Sequence, residues 1–221
     1  RDGVWLDLPT TTEQVQAALR QIDISSDNPQ GLFISGYFAE EEKRFAIPYN
    51  MVLASNVDEL NFLASRLETL SAGERAELNA ALQAPQSELS SIGRITDFPE
   101  NVDYYVHLPD VRGPAQLGDY YLNRSGMVNM PDEWKGGIDT AQFGRYVAQQ
   151  EQGVFTEYGY LVKSGDVWQK VHEGQPVPEE YRVLSFPVPE VMRDAANIPP
   201  PVRPETEPQK VIPIILNGKD S

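Results

Sequence analysis

Few residues in this chain have the types and neighbours that chemistry needs. There are two histidines, His107 and His172, far apart in sequence. Adjacent carboxylates occur at Asp58-Glu59, Asp132-Glu133 and Glu179-Glu180. Such pairs suit general acid–base work or a magnesium site, provided the fold makes them converge. Their settings argue against it. Acids at a helix start answer the positive end of the helix dipole, and acids in loops are held by water. His107 falls in a predicted strand and His172 beside a turn, where a packing or surface role is expected. There is no cysteine, which removes thiolate nucleophiles, disulfides and cysteine-ligated metals. No Gly-rich phosphate loop, HExxH, GxSxG or EF-hand spacing is present. The expectation is a protein that is not an enzyme, with no catalytic residue, no metal and no cofactor.

Tyrosines come in adjacent pairs, Tyr104-Tyr105 and Tyr120-Tyr121. A stacking platform for nucleic-acid bases needs a positive groove beside it. The surrounding sequence lacks one, so packing with a hydrogen-bonded hydroxyl is expected.

The elements that position these residues follow from periodicity. "VWLDL" (4–8) alternates as a strand. Thr10 and Glu13 are spaced as a capping box for a helix that turns Val15, Ala18, Leu19 and Ile22 inward. "LFISGYFAE" reads as a strand, and "KRFAIPY" as another. Asn56 with Glu59, and Ser71 with Glu74, are two further capping boxes. Leucines at 60, 63, 67 and 70 follow the first, and Leu78 and Leu82 follow the second. Pro85 opens a third short helix with Leu89 and Ile92 inward. "VDYYVHL" is a strand. Gly113-Pro114 starts a helix that Gly126 ends, and Asp139 starts one that Gly153 ends. "VFTEYGYLVKSGDVWQKV" reads as a hairpin with its turn at Ser-Gly-Asp, and "YRVLSFPVP" as a further strand. From about Ala195 the chain is rich in proline, and "VIPIIL" looks like the start of an element left unfinished.

The fold class is therefore α+β, built as a chain of small domains. These are a small α/β unit over 1–52, a helical bundle over 53–101 and an α/β unit with a hairpin over 102–192. A proline-rich, disordered tail covers 193–221.

The formal net charge is −15, from 33 acidic and 18 basic residues. Residues 51–110 hold 10 acids against 3 bases. Those acids are Asp58, Glu59, Glu68, Glu74, Glu77, Glu88, Asp97, Glu100, Asp103 and Asp110. Acids three or four positions apart on a helix lie about 6 Å apart, close to the spacing of phosphates along one strand. Rows of them can imitate a nucleic-acid backbone and collect the same electrostatic gain from a DNA-binding protein. Such a field repels nucleic acid and anionic membranes and draws in basic surfaces. No apolar run reaches the roughly 18–20 residues of a membrane span, and no signal peptide is visible. The expected compartment is the cytoplasm.

In motif order and spacing the chain resembles the ArdA family of antirestriction proteins, the DNA mimics of conjugative elements. The matching stretches are "GVWLDLPTTTEQVQAAL", "VDELNFLASRLETLSAGERAELNAAL", "LGDYYLNRSGM" and "IDTAQFGRYVAQQEQGVFTEYGYL". The resemblance implies three small domains in a row and an elongated, curved homodimer. Its acidic surface would imitate bent B-form DNA and occupy the DNA-binding groove of type I restriction–modification enzymes. It also implies an additional strand before the segment 4–8, so that the chain is truncated or its first sheet smaller. The ten acids above would be the partner-binding surface. The alternative is an acidic protein–protein interaction module, or an inhibitor of another DNA-targeting defence system such as a CRISPR effector.

Overall fold

The computed structural model describes residues 3–24, 31–38, 45–85, 87–184 and 212–218. In chain order these form β1 (Val4–Leu8), α1 (Thr12–Gln21), β2 (Leu32–Tyr37), α2 (Tyr49–Leu53), α3 (Val57–Glu68), α4 (Ala72–Gln83) and α5 (Ile92–Thr96). They continue with β3 (Tyr105–Leu108), α6 (Pro114–Asp119), α7 (Asp132–Lys135), α8 (Thr140–Glu151), β4 (Val154–Thr156), β5 (Gly159–Lys163) and β6 (Ile212–Gly218). Mixed helix and strand agrees with the α+β expectation.

The chain divides into two compact units. The first comprises Arg1–Leu70, Leu89–Pro99 and Lys170–Ser221, and the second Ser71–Glu88 and Glu100–Gln169. The helices expected over 53–101 are thus shared, with α3 and α5 in the first unit and α4 in the second.

The first unit is built on an antiparallel sheet of order β1-β6-β2. Its outer strands bury Leu6 and Leu8 of β1, and Leu32 and Ile34 of β2, at every second position. Leu6 pairs with Ile214 and Ile34 with Leu216, with a bulge between Ile34 and Gly36. Ile214, Ile215 and Leu216 are all fully buried, as a central strand covered on both faces must be. Helices α1 and α3 lay Val15, Leu19, Leu60, Leu63 and Leu67 into the core of this unit.

Several expectations need correction. The first helix is capped by Thr11 with Gln14, one residue after the expected pair. Thr10 instead donates its N–H to Asn61 Oδ1 at 2.6 Å. Residues 45–48 form no strand, and Tyr49 already belongs to α2. The short helix near Pro85 begins only at its cap Ser91. The tail expected to be disordered supplies β6 over 212–218, the middle of a sheet. The rest of that tail, and 185–189 of the strand expected in "YRVLSFPVP", lie outside the described residues. Its first residue, Tyr181, ends a single 3-10 turn over Glu179–Tyr181.

The second unit holds an antiparallel sheet of order β3-β5-β4. The hairpin turns at Glu157-Tyr158, where Thr156 pairs with Gly159, and not at Ser164-Gly165-Asp166. Tyr160, Leu117 and Val111 form the core, with Tyr120, Tyr121, Val147 and Phe155 around them. Helices α6 and α8 cross at two glycines. A Cβ on Gly118 would lie 1.9 Å from the Thr140 carbonyl oxygen, and one on Gly144 1.8 Å from that of Pro114. After α6 the chain widens into a π-helical turn at Tyr120–Arg124 and leaves through Gly126 at φ +72°.

Candidate partner-binding surface

The acids of residues 51–110 divide by unit and by role. In the first unit, Asp58 and Asp97 are 1% and 0% exposed. They were expected on the surface, and the structure corrects this. Asp97 accepts backbone N–H groups from His172 at 2.6 Å and Glu173 at 3.2 Å. Asp58 accepts those of Val183 at 2.7 Å and Leu184 at 2.5 Å. A buried carboxylate needs such donors to offset its lost hydration. Both therefore anchor the segment 172–184 to the helices of the first unit. Asn61 joins them by donating to the Tyr181 carbonyl at 3.0 Å. Glu59 is half-buried and accepts from Asn56 N–H at 3.4 Å, closing the capping box. Glu68 is exposed and makes no ion pair among the described residues.

In the second unit Glu74 accepts from Ser71 N–H at 2.6 Å. The bonds from Ser71 hold its carboxyl below the usual range. Glu77 is only half exposed. Burial first, then the charges of Glu74 and Asp103, push its carboxyl up to about 8. It carries little charge at neutral pH. Glu88 takes Lys163 Nζ at 2.9 Å and the Tyr104 hydroxyl at 3.1 Å. Glu100, Asp103 and Asp110 are exposed.

More surface charge lies further along the chain, outside the ten acids expected to form the surface. Asp132, Glu133, Asp139, Glu157 and Asp166 are all exposed. Asp132 and Glu133 read as solvated loop acids and Asp139 as a helix start, and nearby bases lowered the net charge of this stretch, so none of the five entered the expected surface. The second unit nonetheless holds 13 acids against 6 bases, net −7, and the first 20 against 12, net −8.

Among the described residues the chemistry-bearing side chains do not assemble. His172 packs edge-on against Phe62, ring centroids 4.9 Å apart. His107 Nε2 lies 2.9 Å from the Tyr158 carbonyl, and burial lowers its pKa. Both have the packing roles expected. Tyr104 and Tyr105 are buried edge-to-face, centroids 4.9 Å apart. An open cleft of about 900 Å³ in the first unit is lined by Glu59, Phe62, His172, Glu173 and Arg182 among others. Its carboxylates are engaged, Glu59 in its cap and Glu173 with Arg94 at 2.9 Å and Lys170 at 3.1 Å. Among the described residues no group of three or more His, Asp or Glu is placed to hold a metal. No helix among them is long and apolar enough to cross a membrane.

A family model described as antirestriction protein (ArdA) matches residues 1–162. The chain belongs to the ArdA family of antirestriction proteins. No match is found among curated proteins. The ArdA match takes in α1 to α8, β1 to β4 and all but the last residue of β5. It ends before the segment 172–184 and β6. The side chains that anchor this segment, Asp58, Asn61 and Asp97, lie inside the matched part.

Proposed function

We propose that this protein is a non-enzymatic inhibitor that imitates B-form DNA and occupies the DNA-binding groove of a type I restriction–modification enzyme. Membership of the ArdA family supports an antirestriction role, and the disposition of acids in the second unit carries the finer reading. Glu100, Asp103, Asp110, Asp132, Glu133 and Asp166 are all exposed there. A groove built to grip phosphates would meet these carboxylates and release the same counterions. Glu68 adds an exposed carboxylate on the first unit. Asp58, Asp97 and Glu77 drop out of the surface that the sequence suggested. The functional state would be a homodimer, as the resemblance implies.

The test is a pull-down of a type I methyltransferase core, with duplex DNA as competitor. Binding should be displaced by DNA, and its affinity should fall steeply between about 50 and 200 mM salt. No binding at low salt would remove this reading. Binding that ignores salt would favour an ordinary interaction module.

A further inference from the structure

The loop between the π-helical turn and α8, residues 125–139, is largely exposed. It carries Met127 at 74% and Trp134 at 69% exposure. Scattered exposed aliphatic side chains are ordinary. An exposed tryptophan is less so, because burying an indole removes more apolar area from water than almost any other side chain. Trp134 is also held in place. It lies in the single turn α7, where its N–H donates to the Pro131 carbonyl at 3.0 Å and its own carbonyl accepts from Gly137 at 3.1 Å. Lys135 folds its amine back onto Asp132 at 2.9 Å, leaving its side chain only 19% exposed. The indole is therefore presented on a short, hydrogen-bonded platform.

The surroundings are negative. Asp132 keeps 93% of its side chain exposed, and Glu133 and Asp139 are exposed as well. Lys135 is already matched to Asp132. An aromatic anchor framed by carboxylates fits an apolar slot framed by arginine and lysine. Enzymes that modify a base in duplex DNA possess such a slot. They extrude the base into a pocket with apolar or aromatic walls, while cationic groups hold the flanking phosphates. An indole is a flat fused bicycle of purine size with one N–H donor at its edge.

We propose that Trp134 is the anchor by which this protein holds its target. The indole enters the slot that otherwise receives an extruded base, and Glu133 meets the cations that hold the neighbouring phosphates. This rests on the inhibition proposed above and adds to it a residue and a pocket.

The experiment compares the full chain with Trp134→Ala, Trp134→Phe and Glu133→Gln, binding a type I methyltransferase core at about 50 and 200 mM salt. Because the indole is in water, the variants should keep the parent's circular dichroism. Trp134→Ala should weaken binding about tenfold or more, by the same factor at both salts, as an apolar hot spot does. Trp134→Phe should recover part of that loss. Glu133→Gln should weaken binding mainly at low salt. If the parent binds and Trp134→Ala stays within about twofold of it, the anchor is wrong and the inhibitor reading stands. If the parent fails to bind at low salt, the inhibitor reading fails and takes the anchor with it. If Trp134→Ala instead dissociates a self-associated chain in sedimentation, the indole belongs to a contact between copies and the proposal is overturned.

Discussion

Glu77 stands on α4 with one carboxylate oxygen shielded from solvent and without a hydrogen bond, while Glu74 and Asp103 add negative charge nearby. Ionising it in the folded state is costly on both counts. Its carboxyl moves from 4.5 to about 8, so the folded state holds a proton that the unfolded chain releases. The resulting stability is complete below about pH 4.5 and is lost as pH rises to 8 and beyond. Glu77→Gln keeps the neutral shape at every pH. It should match the parent near pH 4 and exceed it above pH 8 by roughly 1 kcal/mol, or about 2–4 °C in Tm, after allowance for the solvent that reaches this half-buried group. Thermal melts across that range decide the matter, and an equal Tm at high pH would show the group ionises freely. Partner affinity near neutral pH should hardly change, because Glu77 contributes little charge there. Residue type announced ten acids in the sequence but not their protonation or exposure. Those depend on long-range neighbours, such as the amides of His172 and Val183 that cover Asp97 and Asp58.

Short-range signals explain why several elements were legible. The capping boxes Asn56/Glu59 and Ser71/Glu74 start α3 and α4 as their spacing requires. The first helix shifted by one residue because Thr11 and Gln14 offer the same chemistry as Thr10 and Glu13, and Thr10 is drawn to Asn61, 51 residues away in sequence. The hairpin moved because Ser164-Gly165-Asp166 has ideal turn composition, yet pairing of β5 with both β3 and β4 uses up the sequence before it. The α6–α8 crossing was invisible to pattern reasoning. Gly118 and Gly144 read as weak helix residues, and only the crossing shows why no side chain fits. Gly144→Ala would drive a methyl to 1.8 Å from the Pro114 carbonyl oxygen. Backbone lies on both sides, so the helices must separate. The expected cost is about 3 kcal/mol or more, read as a lower urea midpoint. Gly73→Ala in α4, where the nearest atom is 4.0 Å away, should be neutral or slightly stabilising. Equal losses at the two sites would remove close packing as the cause.

Across the whole molecule, the first sheet joins distant parts of the chain. β1 and β2 do not pair with each other, because β6 lies between them and bonds to both. "VIPIIL" looked unfinished in sequence because its partners lie near the other end of the chain, at Leu6, Leu8, Leu32 and Ile34. Such pairing is costly in chain entropy and slow to form. The reward is three fully buried side chains, Ile214, Ile215 and Leu216, worth roughly 1.5–3 kcal/mol each. Removing 212–218 forfeits that burial and both ladders, and it exposes the inward edges of β1 and β2. The loss is comparable to the roughly 5–15 kcal/mol that holds a typical domain together. Hydrogen exchange should therefore show protection collapsing over β1, α1 and β2. Amides of α6, α8 and β5, which belong to the other compact unit and bury their own core of Leu117 and Tyr160, should stay protected. Undiminished protection in β1 after the truncation would show that β1 and β2 hold together without the central strand. Protection lost everywhere would show that the two units fold as one cooperative body.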